Sequence, residues 1–210
     1  MAQLRQPETP KVEFFEGWPE ETGTTPTRKV YEEFKYRWFE NVCVQVGNWD
    51  FFVHSYYLET FHEIIKHFPI PIPARMVVKL RGSVDDIRNT FRVLYSRDQP
   101  VESRNFDTGT WKSALWAARE FDNPTLQSHS IRGLEQKTIL AEEYLMYSRQ
   151  FDIPEWTDIA VNKLVDRPAP LNLQVARDLG VDLVVQLHNR KVQKLCEKIE
   201  ELTKDQGRAR

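Results

Sequence analysis

The chain has 210 residues, with 29 Lys and Arg against 31 Asp and Glu and a formal net charge of −2. Such balance supplies no basic field for nucleic acid. Cys43 and Cys196 stand far apart with no C-x-x-C partner, which leaves neither a disulfide framework nor a zinc knuckle.

Residues 1–27 carry Pro7, Pro10, Pro19 and Pro26 among Thr and Glu, a composition that resists regular structure and predicts a disordered N-terminal arm. Inside it, "VEFFEGWPEE" sets Phe14, Phe15 and Trp18 between acids. This stretch reads either as an arm folding back on the domain or as a docking motif for another protein. The opening "MAQLRQPETP" has no apolar core of a signal peptide, and no stretch approaches the roughly 18 apolar residues of a membrane span. The expectation is an intracellular protein, cytoplasmic and/or nuclear, with no membrane partner.

From Val42 the residues alternate, Val42, Val44 and Val46 against Cys43 and Gln45, then meet Gly47-Asn48. A strand, a two-residue turn and a return strand over 49–53 follow, giving a β-hairpin with one buried face. An amphipathic helix is predicted over 55–68, its apolar face formed by Leu58, Phe61, Ile64, Ile65 and Phe68.

Within that helix "HEIIKHF" falls one position short of the His-Glu-x-x-His zinc signature. A step of five residues overshoots a full turn by about 140°, so His62 and His67 face apart. Lys66 fills the slot of the second ligand, and its ammonium repels a dication. No metal is expected.

"FPIPIPA" (68–74) interrupts all regularity, because proline donates nothing to a ladder. A third strand is predicted over 75–80. Ser83 with Asp86 three residues on predicts a helix N-cap, followed by a stripe of Val84, Ile87, Phe91, Leu94 and Tyr95.

From residue 108 onward the pattern is helical. Trp111, Leu115 and Ala118 share a face; Asn123-Pro124 predicts a helix start. Leu140, Tyr144, Tyr147 and Phe151 step by four, three and four; another helix begins at Pro154, anchored by Trp156, Ile159 and Leu164. Gly180 suits a helix C-cap. In the last helix Val181, Val185, His188, Val192, Leu195, Ile199 and Leu202 alternate steps of four and three, a heptad seam about three repeats long. The seam reads either as a terminal helix packing on its own domain or as a helix pairing with another. Protonation of His188 would weaken it. The tail "KDQGRAR" reads as loose.

No catalytic constellation emerges. There is no G-x-S-x-G elbow, no G-x-G-x-x-G and no G-K-[ST] loop. The histidines are 54, 62, 67, 129 and 188, none at a ligand spacing with Cys or carboxylate. His54 beside Ser55 and Tyr57 offers a base near hydroxyls, but it reads as a structural ring bonded to nearby backbone. Catalytic residues, cofactors and small-molecule substrates are therefore not expected.

Two stretches carry a family resemblance. "DFFVHSYYLETFHEIIKHF" is similar to the BTB/POZ signature of an apolar strand ending Phe-x-Val-His with Leu four residues on, here His54 and Leu58. "VVKLRGSVDDIRNTFRVLYS" resembles the family's next strand and helix, with Phe91, Leu94 and Tyr95 in place. "DIPEW" and "RPAPL" in the segment after it resemble the extension found in fungal BTB-domain proteins, so that the likeness spans about residues 34–195. The family commonly has Ser eight and Phe eleven residues after the His, where this chain has His62 and Ile65.

The resemblance implies an α+β BTB/POZ fold over 28–137, a small sheet with a hairpin flanked by helices. A helical extension over 138–205 and a loose tail over 206–210 would follow. It implies a non-enzymatic interaction module, self-associating as a scaffold or adaptor, with Leu58, Phe61 and Ile65 as candidate contacts. The same side chains serve equally as core in this reading. The alternative is a substrate adaptor of a cullin ubiquitin ligase, with Phe14, Phe15 and Trp18 in the recruiting segment.

Overall fold

A two-residue turn organises the sheet. Gly47 takes φ 57°, a left-handed conformation that a glycine enters without Cβ strain, and folds β3 (Asn41–Val46) back on β4 (Trp49–His54). A computed structural model describes residues 13–16, 29–30, 41–67, 70, 76–96, 105–167, 176–177 and 179–208. The chain is mixed α+β and divides into two units, 1–137 and 138–210.

In the first unit β5 (Met76–Lys79) runs parallel to β3, and two short strands, β1 (Glu13–Glu16) and β2 (Lys29–Val30), complete the order β1-β5-β3-β4-β2. β1 is antiparallel to β5 with Phe15 opposite Val77, and β2 is parallel to β4. The disordered arm expected over 1–27 is thus corrected at Glu13–Glu16, which pair as an edge strand. The rest of that arm, Trp18 included, lies outside the described residues, as do most of "FPIPIPA" and "RPAPL". The hairpin differs from expectation too: Cys43 and Gln45 are buried along with the three valines. As an inner strand between β4 and β5, β3 is covered on both faces, and alternation in sequence does not translate into one wet face.

The predicted helix over 55–68 is two single turns, α1 (Ser55–Leu58) and α2 (His62–Ile65). Thr60 Oγ1 donates to the Tyr57 carbonyl at 2.7 Å and Phe61 turns extended. The amides of His62 and Glu63 then donate to the carbonyls of Asp122 and Phe121. These tertiary bonds satisfy the donors that begin a helix, and the chain re-enters helix at an angle.

α3 (Val84–Tyr95) buries Ile87, Thr90, Phe91, Val93 and Leu94. Ser83 occupies the N-cap as predicted, though its side chain makes no capping bond. Asp86 instead accepts from Ser113 Oγ at 2.6 Å, and Thr90 Oγ1 donates to the Ser113 carbonyl at 3.3 Å, fastening α3 to α4 (Thr108–Glu120). Asp107 caps α4 by accepting from the Thr110 amide at 2.7 Å, and that bond holds its carboxyl below the usual range. α5 (Pro124–Glu135) starts as predicted, with Asn123 Oδ1 accepting from the Leu126 amide at 2.9 Å. It lies close on α4: a Cβ at Gly133 would meet the Trp111 ring at 2.4 Å.

The second unit begins with α6 (Ala141–Gln150) and α7 (Glu155–Asp166). Trp156 is its buried anchor, edge-on to Tyr144 at 5.7 Å between ring centroids. Leu140, the first of the residues spaced by four, three and four, is 63% exposed, since it precedes the helix and is held there through its backbone, its amide by Glu143. Ile159 is half-buried while Ala160 and Val161 take the core side of α7.

The α4–α5 and α6–α7 hairpins turn by one device. "FDNP" and "FDIP" each end a helix on a buried Phe, put the Asp at positive φ (54° at Asp122, 47° at Asp152) and resume at Pro. The amide of Asn123 reaches back to the Ala118 carbonyl and that of Ile153 to Ser148, the six-to-one bond of a Schellman turn. Gly180, at φ 80°, precedes α8 (Val181–Arg208), whose 28 residues run through most of the tail read as loose. Among the described residues no helix is long and apolar enough to cross a membrane.

Candidate interaction surface

The face assigned from sequence is not a surface. Leu58 and Phe61 are 0% and 2% exposed, and with Ile64 they line the same interior space as Leu80, Ile87, Phe91 and Phe121. Phe61 meets Phe121 edge-on at 6.1 Å. Of the two roles left open for these side chains, the structure gives Leu58 and Phe61 the core role, because α1 and α2 must cover α3 and α4. They are corrected as contact residues. Ile65 is half-buried. Phe14 and Phe15 lie in the edge strand β1, and Trp18 is outside the described residues.

His62 and His67 are both exposed on α2 and just past it. His62 Nδ1 stands 3.2 Å from Asp122 Oδ2, an exposed pair that orients the ring. Among the described residues no group of three or more His, Cys, Asp or Glu could hold a metal ion.

His54 binds a side chain rather than the nearby backbone expected for it. The Tyr95 hydroxyl oxygen accepts from the His54 amide at 2.9 Å and lies 2.9 Å from His54 Nδ1. The hydroxyl can serve Nδ1 as donor or acceptor, according to the tautomer of the ring. Burial pushes the Tyr95 hydroxyl up to about 12, so it stays neutral. Tyr56 and Tyr57 flank the pair, with Tyr57 4.3 Å from Tyr95 between ring centroids. The cluster ties the end of β4 to the end of α3.

Six of the ten large apolar residues exposed among the described residues lie on α8. Val181, Val185, Val192, Leu195, Ile199 and Leu202 are each between 45% and 78% exposed. They are the apolar members of the heptad seam, and His188 between them is exposed as well. Another face of α8 packs on α7. Leu187 is 2% exposed there; Arg190 donates to Asn162 at 3.0 Å, Lys191 to the Arg167 carbonyl at 3.1 Å, and Lys194 pairs with Asp166.

At about 100° per residue, the direction through Leu187 and Lys194 lies roughly 110° around the helix from the seam. One helix therefore has two faces, one bonded to α7 and one exposed among the described residues. Residues 192–204 are exposed throughout. The seam spans about 32 Å along the axis. Sequence reasoning found this seam but assigned the interaction surface elsewhere; exposure is what separates the two.

Compared with protein-family models, curated proteins and solved structures, the chain matches none.

Proposed function

We propose that the protein acts by binding protein, without catalysis, as a BTB/POZ-like α+β module whose helical extension presents the contact face. The observation that carries this reading is the row of six large apolar side chains held in water along α8. Water disfavours such a row, and isolated apolar residues elsewhere on a surface need no such account.

Support for the BTB-like part comes from where the resembling stretches meet. His54 from the first and Tyr95 from the second share a hydrogen-bonded pair, and Leu58 and Phe91 line one interior space. The two motifs thus describe one packed nucleus joining β4, α1 and α3. Self-association is the form of binding this reading favours.

Light scattering after size exclusion tests it on the full chain. A mass above the 24.9 kDa of one chain is expected at about 100 µM. A clean monomer at that concentration contradicts self-association.

A further inference from the structure

We propose that the seam of α8 pairs with the same seam of a second copy of this chain, as a parallel two-stranded coiled coil. The inference rests on the association reading above and names its partner. It begins from the period. Seven positions spaced alternately by four and three repeat every 3.5 residues, which keeps a stripe facing one companion helix only if the two supercoil. An extended peptide or a globular groove makes no such demand.

The residues in each layer select the number and direction of strands. In the steps observed, Val185, Val192 and Ile199 take the a positions, and Val181, His188, Leu195 and Leu202 the d positions. β-Branched residues at all three a positions, with Leu at the last two d positions, are the combination that favours parallel dimers over trimers and tetramers.

Charges beside the seam agree. Lys191 and Lys198 fall at g positions, while Asn189, Cys196 and Thr203 fall at e. In a parallel pair each g residue faces the companion's next e residue, so Lys191 meets Cys196 and Lys198 meets Thr203, with no like charges opposed. An antiparallel pair overlapping along the whole stripe sets g against g and opposes Lys191 to Lys198 twice. Like charges so placed disfavour that arrangement.

His188 is the one polar layer, the kind of group that fixes register at a cost in strength. With three heptads, the pair is a reversible one rather than a permanent dimer.

Sedimentation equilibrium of the full chain, with three variants, tests the proposal. The wild type is expected to dimerise reversibly. L195E and I199E together should weaken the dimer at least a hundredfold, and H188L should tighten it about tenfold or more. Because these positions are exposed in the monomer, the variants should keep the wild-type circular dichroism at low concentration. In a C196S background, oxidised L202C should give a covalent dimer, since a parallel pair brings the two 202 positions within disulfide reach.

A dimer untouched by L195E and I199E overturns this inference but leaves self-association standing. A dimer that L202C does not link, or that H188L weakens, overturns the parallel arrangement. A monomer at every concentration, as when the seam is covered by another segment of the same chain, overturns both.

Discussion

A single hydroxyl shows how local chemistry is set in this protein. Tyr95 oxygen accepts the His54 amide and pairs with His54 Nδ1 at 2.9 Å, so one side chain closes the end of β4. Y95F removes both bonds and leaves the part-buried amide without this acceptor. A loss of about 1–3 kcal/mol is expected in urea unfolding. The pH dependence follows from the raised value. The neutral hydroxyl favours the folded state fully below its ordinary value of 10.0, and that contribution is lost as pH rises toward about 12. The gap between wild type and Y95F should therefore narrow from pH 10 upward; a gap constant across that window would contradict the assigned bonds.

At the scale of elements, the two Phe-Asp turns are the sharpest test. Asp152 sits at φ 47°, where an L side chain strains and a β-branched one strains most. D152V should cost about 1–3 kcal/mol in thermal or urea unfolding, while D152G should be neutral or slightly stabilising. If both variants cost the same, positive φ is not what shapes the α6–α7 turn.

What was legible in the sequence at this scale had its signal in adjacent residues. Gly47-Asn48 marked the hairpin, and Asn123-Pro124 marked the start of α5. What was not legible depended on distant partners. Nothing between Glu59 and Phe61 is a glycine or proline, yet the helix divides there because Asp122 and Phe121 offer their carbonyls to its second turn. β1 is four residues with two adjacent Phe, too short for alternation, and exists through its pairing with β5. Leu58 and Phe61 had the right pattern for a buried face; only the packing of α1 and α2 on the interior says that nothing else is needed to bury them. The seam of α8 had the same apolar spacing and stayed in water. Spacing alone does not distinguish the two cases.

For the whole molecule, α8 is the proposed place where one chain meets another. Burying its six apolar side chains contributes roughly 25 cal/mol per Å² before the cost of association is subtracted. The most direct measurement is amide hydrogen exchange of the wild-type chain at increasing protein concentration, read over residues 192–204. Association through the seam predicts that exchange there slows as concentration rises, roughly in step with the dimer fraction, while the hairpin β3–β4 is unaffected. Exchange over 192–204 that is the same from about 1 to about 200 µM, in a protein that does form dimers over that range, would place the contact elsewhere and contradict the account.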